Sequence, residues 1–371
     1  MTVGGSRSAS DGAAPEAKAA GRSWRGSAIV AGTKLLGKLP EAPLVAAAES
    51  LGELWYRADP AKATQARANL GRVCEGLATQ GRGSSLVRRA ATDPEALEKI
   101  VRRAFRHAAR YYLEVARAGS ESAEKVLARI DIETPGEVTD ALRSGHPVII
   151  TGMHYGSIEV PVVVVSDMVG HPVTAPMEMV KDPVMARWFE ESRRRVGVNV
   201  VDMHDARRGL MAAIKRGESV GMVSDRDLLH NGILVPFFGH PAPLPAGPAL
   251  LAVETGLPIY VGSARRTAHL RYTGKLIRLE VPTEGRLRER VTAITTNLAA
   301  SFETLLADGP EQWFGAFHPI WPDLAVGAKP TDGDAATDVK RERKPARAAK
   351  PAAEAEPAAE PASPSADRSP A

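Results

Sequence analysis

Cysteine and long apolar runs are scarce in this sequence of 371 residues. Cys74 is the single cysteine, so an internal disulfide is excluded, in keeping with a reducing compartment. No uninterrupted apolar run reaches the roughly 18 residues of a membrane-spanning helix. Residues 1–26 lack the apolar centre of a signal peptide. We therefore expect the protein to stay in the cytoplasm without crossing a membrane.

The motifs of several large enzyme classes are also missing. The sequence has no complete phosphate loop (GxxxxGK followed by Ser or Thr), no GxGxxG after a strand and no CxxC pair. It has no GxSxG at the strand-to-helix turn of a nucleophile elbow. The usual signs of nucleotide hydrolysis, hydride transfer, zinc chemistry and α/β-hydrolase chemistry are thus absent. We predict that the protein uses neither a cofactor nor a metal ion.

The charge balance indicates an anionic partner. The formal net charge is +4, the pI is about 9.2, and hydrophobic residues make up 44% of the chain. That hydrophobic fraction is ordinary for a globular protein and allows a core to form. Nucleic acid and an anionic membrane surface are the two classes of partner that a mildly basic chain suggests.

The N-terminal part of the chain predicts helices with an apolar face. Residues 1–22 are predicted to be disordered, and a helix begins at Trp24. Its apolar side chains form one stripe as far as Leu39, flanked by two lysines, as in helices that lie in a membrane interface. A helix packed on the core is the alternative. With a second helix over Leu44–Arg57, residues 24–58 are predicted to be membrane-interface helices.

Residues 60–130 are predicted to be helical as well. Asp93, Pro94 and Glu95 begin a long helix, because they supply a capping side chain, a proline and an acid in the first turn. One side of this helix is basic. It is either a solvated face or a surface for phosphate headgroups, formed by Arg102, Arg103, Arg106 and Arg110.

From Pro135 onward, strands and helices alternate. This rhythm predicts an α/β fold with a central, mostly parallel or mixed sheet flanked by helices. The segment Phe237–Ala246 is predicted to be a loop before a helix, and residues 325–371 are predicted to be a disordered tail rich in Ala, Pro, Lys and Glu. Ligands in such sheets bind at the carboxyl ends of strands. Three polar side chains lie at or just beyond such ends: His154, Asp225 and Asp227.

His154 and Glu159 are the strongest chemical pattern in the sequence. The HX4E spacing places a base after a strand and a carboxylate near the start of a helix. A neutral imidazole takes a proton from a hydroxyl at neutral pH, and a carboxylate on its other nitrogen fixes the tautomer. The pair therefore suits activation of a hydroxyl for attack on an acyl thioester. The alternative is a core histidine that is hydrogen-bonded by Glu159.

Several motifs, in order along the chain, carry a family resemblance. From about Trp24 to Trp321 the chain resembles the lysophospholipid-type acyltransferases of the lipid A lauroyl/myristoyl acyltransferase superfamily, above all its actinobacterial branch, the phosphatidylinositol mannoside acyltransferases. The motifs that carry the resemblance are Arg67-Ala68-Asn69-Leu70, His154 to Glu159, Arg193 in RRRVG, Ser224 to Leu228, Phe237-Phe238-Gly239, Pro245 to Ala249, Pro310 to Trp313, and Pro319-Ile320-Trp321.

The resemblance implies the roles of individual residues. His154 would be the general base, Glu159 its carboxylate partner, and Arg193 a ligand of the donor or the oxyanion. The run Asp225, Arg226 and Asp227 would line the acceptor side. Residues 23–324 would be the acyltransferase domain. It would use acyl-CoA as co-substrate, with no separate cofactor, and it would acylate a mannose of phosphatidylinositol mannoside. It would be peripheral on the cytoplasmic face of the plasma membrane and would not bind nucleic acid.

Some features depart from the family pattern and leave alternatives open. Leu234-Val235-Pro236 stands where many mannoside enzymes carry an acid, and Glu159 replaces the expected aspartate. Three consecutive arginines, 193–195, leave open which one acts. The acceptor is alternatively another lysophospholipid or a lipid A-type sugar. A lipid-binding protein without catalysis is a further alternative.

Overall fold

The computed structural model describes residues 24–118, 121–177, 181–268 and 271–326, which all belong to one structural unit. Residues 1–22 and residues 327–371, which are most of the tail predicted from residue 325, lie outside the described residues. None of the helices in the described ranges is long and apolar enough to cross a membrane.

Helices precede the sheet along the chain. Asp59 and Asp93 each cap a helix that has a proline in its first turn, which satisfies backbone N–H groups that have no partner within the helix. The predicted start of the long helix is therefore confirmed. The helices of this region are α1 (Trp24–Leu36), α2 (Glu41–Ala58), α3 (Pro60–Thr79), α4 (Ser85–Ala90), α5 (Pro94–Arg117) and α6 (Ala123–Leu127).

Part of the basic side of α5 pairs with acids of α2. Arg106 forms an ion pair with Glu53 at 3.2 Å, Arg102 pairs with the same carboxylate, and Arg110 pairs with Glu49 at 3.1 Å. Arg102 and Arg106 are nevertheless 41% and 43% exposed, and Arg103 is exposed, in agreement with a partly solvated face. The alternative of a surface for phosphate headgroups stays a prediction.

The strands of the described chain are β1 (Ile130–Ile132), β2 (Ile149–Gly152), β3 (Val173–Met177), β4 (Val198–Asp202), β5 (Ser219–Val223), β6 (Ile233–Phe237), β7 (His240–Leu244), β8 (Ile259–Ala268) and β9 (Arg271–Leu279). Seven of them form the main sheet, in the order β1-β9-β8-β2-β5-β3-β4. All neighbours in this sheet are parallel except β8 and β9, which are antiparallel, so the sheet is mixed. The predicted fold class is confirmed.

Helices connect and cover these strands. They are α7 (Gly136–Arg143), α8 (Glu159–Val169), α9 (Pro183–Arg194), α10 (Ala206–Lys215), α11 (Gly247–Thr255) and α12 (Leu287–Leu306). Asp182 caps α9 with two backbone hydrogen bonds, as its Asp-Pro sequence predicts. The helix α8 begins at Glu159, directly after the turn that holds His154.

Two features of the fold differ from the sequence-based predictions. The segment predicted to be a loop at Phe237–Ala246 instead forms most of an antiparallel hairpin, β6 and β7, outside the main sheet. Its two turn residues, Phe238 (φ 49°) and Gly239 (φ 76°), both have the left-handed conformation that two-residue hairpins favour. The short strand β1 and the helix α7 were not predicted.

The aromatic segment near the end of the described chain is part of the core. Trp313 and Trp321 are fully buried, and Trp321 stacks on Phe237 of the hairpin at 5.2 Å between ring centroids. A backbone bridge joins Trp313 to Tyr155, the residue after His154. This segment is therefore buried in the core and contacts the turn that follows β2.

Candidate active site

Strand register brings His154 and Asp225 together. In the parallel pair β2 and β5, Gly152 lies opposite Val223. His154 and Asp225 each follow two residues later, so they leave the sheet side by side. The Nδ1 atom of His154 lies 2.7 Å from Oδ1 of Asp225, and the backbone N–H of His154 donates to Oδ2 at 3.2 Å. The edge of the sheet thus supplies a histidine with a carboxylate on its ring.

The C-terminal segment completes the surroundings of Asp225. The indole Nε1–H of Trp313 donates to Oδ2 of Asp225 at 2.8 Å, and the backbone N–H of Phe314 donates to the carbonyl oxygen of His154 at 2.7 Å. Burial by itself raises the pKa of Asp225, but the His154 ring and the hydrogen bonds from His154 and Trp313 outweigh burial and lower the pKa. Asp225 therefore stays ionised and orients the ring.

Glu159 does not occupy the position predicted for it. Its carboxylate pairs with Arg193, at 3.4 Å between Oε1 and Nη2, whereas the ring of His154 pairs with Asp225. The chain turns at Gly156, whose φ is 59°, before α8 begins, so the HX4E spacing does not run along one helical face. The prediction that Glu159 is the carboxylate partner of His154 is wrong. Burial raises the pKa of Glu159, and Arg193 opposes that shift without cancelling it.

An apolar cavity of about 210 Å³ lies beside His154, between the sheet and helices α8 and α9. Polar groups, among them His154, Glu159 and Arg193, line part of it. The rest of its wall is apolar and includes Ile150, Val162, Ala175, Val198, Val200 and Met222. Its largely apolar lining suits a hydrocarbon chain whose polar end lies at the histidine.

Glycines keep this cavity open where strands approach it. Gly152, Gly221 and Gly262 lie on the neighbouring strands β2, β5 and β8 and contribute to its wall. A Cβ atom on Gly262 would lie 3.1 Å from both Ile150 and Pro161, and one on Gly152 would lie 2.8 Å from the carbonyl oxygen of Gly262. Side chains at these positions would narrow the cavity or push the strands apart.

The remaining predicted site residues fall in different places. Of the three consecutive arginines, Arg193 lines the cavity, whereas Arg194 pairs with Glu190 and is 61% exposed. Arg226 lines a second cavity that also touches His154. The carboxylate of Asp227 accepts hydrogen bonds from the backbone N–H groups of residues 231 and 232, so it shapes the loop before β6. Its predicted contact with an acceptor stays a prediction.

Sequence reasoning missed the direct role of two residues. Asp225 was assigned to the acceptor side although its position at a strand end, level with His154, already allowed a pairing. Trp313 lies 88 residues after Asp225 and gave no local sign of its hydrogen bond. Within the described ranges, no three His, Cys, Asp or Glu residues are grouped closely enough to hold a metal ion.

The arrangement defines a class of site: an oriented imidazole at the edge of a mixed sheet, with a largely apolar cavity beside it. The profile of the family described as bacterial lipid A biosynthesis acyltransferase matches residues 16–322. The chain therefore belongs to this family and is an acyltransferase.

Individual relatives point in the same direction. The chain is 27% identical over 229 residues to a phosphatidylinositol mannoside acyltransferase of Mycolicibacterium smegmatis. The aligned region covers 60% of this chain and 73% of that relative. It is also 27% identical over 219 residues to a protein with the same name from Mycobacterium tuberculosis strain CDC 1551, with 57% of this chain and 67% of the relative covered.

Proposed function

We propose that this protein is an acyl-CoA-dependent O-acyltransferase that acylates a mannose hydroxyl of phosphatidylinositol mannoside at the inner face of the plasma membrane. The observation that carries the proposal is the His154–Asp225 pair, which lies at an apolar cavity in a chain of this family. The mannoside acceptor is supported by the names of the relatives.

Proton transfer by His154 is the central step of the proposed mechanism. Asp225 accepts the Nδ1–H, which leaves Nε2 unprotonated and able to take the proton of the acceptor hydroxyl. The alkoxide oxygen forms a bond to the thioester carbonyl carbon, and the tetrahedral intermediate then expels the coenzyme A thiolate. The imidazolium of His154 returns its proton to that thiolate. A positioned base of this kind contributes about 10²–10⁴ in rate.

The apolar cavity is proposed to hold the acyl chain of the donor. A chain within it places the thioester near His154, Arg193 and the first turn of α8, since all three contribute to the wall. The oxyanion of the intermediate then lies within reach of a guanidinium or of helix N–H groups without intrahelical partners. Glu159 holds Arg193 in this position through their ion pair.

Membrane association is supported by exposed apolar side chains on the N-terminal helices. Trp24 is 74% exposed, and Leu35, Leu51 and Leu54 are each 60% exposed or more. Such large apolar side chains on neighbouring helices are typical of a surface that contacts lipid. The apolar side chains of the predicted stripe in α1 are mostly exposed, as are most other residues of this helix.

The direct test is acyl transfer from labelled palmitoyl-CoA to extracted phosphatidylinositol mannosides. His154→Ala is expected to lower the rate by about 10²–10⁴. The matched control is His204→Ala, because His204 also pairs with an aspartate, Asp202, at 3.0 Å but is exposed. Equal rates for wild type and His154→Ala would refute the proposal.

A deletion strain tests the acceptor separately. Loss of acyl chains from mannosylated inositol lipids supports the mannoside, whereas unchanged mannosides together with altered lysophospholipids or other acylated sugars would assign the acceptor elsewhere. Lipid binding without turnover on any acceptor would favour a binding protein that retains the fold.

A further inference from the structure

A second cavity touches His154 and differs in character from the first. It has a volume of about 80 Å³ and lies between α2, α3, α5 and the C-terminal segment. The two cavities share His154 and Tyr111. Its polar side chains, besides tyrosine, are Lys62, Arg226 and the two histidines at 154 and 318, and none of the described residues in its wall is acidic.

The charged side chains that line this second cavity, Lys62 and Arg226, are both cationic. The pKa of His318 is lowered to about 4, chiefly by burial and further by the charges of Arg226, Lys62 and His154, with Asp225 opposing them. His318 is therefore neutral at physiological pH, chiefly because it is buried. A phosphate group is the kind of ligand that such a cavity stabilises.

An apolar groove of about 600 Å³ borders this cationic cavity. The two share Trp55 and Tyr112, whose ring centroids are 6.1 Å apart, and Lys62 lies 5.7 Å from the Trp55 ring. The rest of the groove is lined by aliphatic side chains of α1, α2 and α5, namely Leu36, Leu44, Ala47, Ala48, Leu51, Ala109, Leu113 and Ala116.

We propose that a single anionic lipid binds across this groove and the adjoining cationic cavity as the acyl acceptor. Its hydrocarbon chain lies in the groove, its phosphate lies between Lys62 and Arg226, and the hydroxyl to be acylated reaches His154. The role as acceptor rests on the proposed function, whereas the binding of an anionic lipid rests on the two cavities themselves.

The adjacency of the groove and the cationic cavity favours one lipid molecule over simple contact with a bilayer. A helix face that merely rests on a membrane needs apolar side chains at its surface. Here the groove adjoins, at Trp55 and Tyr112, a cavity that is lined by two cationic side chains and by His154. The donor chain has its own apolar cavity on the sheet side, so the two substrates meet at His154 from different directions.

Calorimetric titration tests the headgroup part without any acyl donor. The probes are monomeric lysophosphatidylinositol and a neutral alkyl mannoside of equal chain length. We expect Lys62→Gln to weaken binding of the anionic lipid about tenfold and to leave the neutral one unchanged. Lys62→Arg is expected to restore the preference. Lys99→Gln, which alters an exposed lysine on α5 that lines neither cavity, is the control.

A matched pair of tryptophan variants tests the groove. Ala47 lines it and the neighbouring Ala46 does not, although both are exposed on α2. Ala47→Trp is expected to weaken binding of both probes about tenfold, since a new indole occupies space that the chain needs, and Ala46→Trp to leave it unchanged. Sedimentation with anionic vesicles distinguishes binding in the groove from contact with a bilayer. An added tryptophan at either position strengthens adsorption to a membrane, so both variants should pellet with the vesicles more strongly.

Three results would overturn the proposal: no binding of lysophosphatidylinositol by the wild type, an anionic preference that survives Lys62→Gln, or equal effects of Ala47→Trp and Ala46→Trp on binding of the probes. Any of these would leave acyl transfer by His154 standing. Conversely, a protein that binds the probes as expected but transfers no acyl group would refute the proposed function alone.

Discussion

Two His–Asp pairs lie at carboxyl ends of strands in the same sheet. His154 and Asp225 follow the central strands β2 and β5, at 2.7 Å between Nδ1 and Oδ1. Asp202 ends the edge strand β4, and His204 lies 3.0 Å from it. The distances are similar, but the side chain of Asp225 is fully buried, whereas those of Asp202 and His204 are 45% and 88% exposed.

The comparison shows that a short distance alone does not define a catalytic pair. Around His154, the sheet, α5 and the C-terminal segment exclude water from the carboxylate, Trp313 supplies a second donor, and two cavities reach the ring. Around His204, solvent screens the interaction and competes for both partners. The position at central strands thus gives His154 the buried, oriented carboxylate that the proposed general base requires.

Replacement of each aspartate is the strongest way to test this contrast. Asp225→Asn is expected to lower kcat for acyl transfer by about 10³, because the amide no longer fixes the tautomer of the ring or stabilises the imidazolium. Asp202→Asn is expected to change kcat by less than about twofold, as for other exposed pairs. Steady-state rates with palmitoyl-CoA measure both. Similar losses in the two variants would remove the distinction between the pairs.

A smaller effect is expected for the ion pair beside the ring. Arg193→Gln is expected to lower kcat/KM about tenfold, since a charged donor at the cavity wall is lost. Arg194→Gln, which alters the neighbouring exposed arginine, is the control. Glu159→Gln is expected to follow Arg193→Gln and to remain well above Asp225→Asn. A loss for Glu159→Gln as large as that for Asp225→Asn would restore Glu159 as a partner in proton transfer.

Local signals in the sequence predicted much of the fold. Asp93 and Asp182 each precede a proline, and both begin helices as predicted, because a cap acts on the next few residues only. The hairpin β6–β7 was missed because its turn is Phe238-Gly239 rather than the Asn-Gly or Asp-Gly that signals such turns. Burial of Phe238 overrides the intrinsic preference of a bulky residue against a positive φ.

The candidate site was predictable only in part for the same reason. His154 stands out because a motif of a few residues marks it. Its partner Asp225 lies 71 residues further on, and the contact depends on the register of β2 against β5, which no local pattern specifies. A carboxylate five residues away, Glu159, was therefore assigned a role that parallel pairing gives to Asp225.

The apolar cavity offers a more graded test of the central site. Ala175→Leu adds bulk to a wall residue of β3. It is expected to lower kcat/KM for palmitoyl-CoA about threefold to tenfold relative to decanoyl-CoA, because lost cavity volume excludes a long chain first. Rates across a series of acyl-CoA lengths measure the shift. An unchanged dependence of kcat/KM on chain length would show that the acyl chain of the donor does not bind in this cavity.

Acid sensitivity of stability is the smallest expected difference between the two pairs. The folded-state pKa of Asp225 lies below its ordinary value of 3.8, so its ionised form stabilises the folded state above that pH. This contribution is lost as pH falls through the lowered pKa. We expect Asp225→Asn to reduce the free energy of unfolding by about 1–3 kcal/mol at pH 7 and by less below pH 4. Denaturant titrations across that range measure the difference.

The pKa of Asp202 is also lowered, by hydrogen bonds from His204, but its carboxylate is in solvent. Asp202→Asn should therefore leave stability nearly unchanged throughout, and a comparable loss there would show that burial does not separate the two pairs.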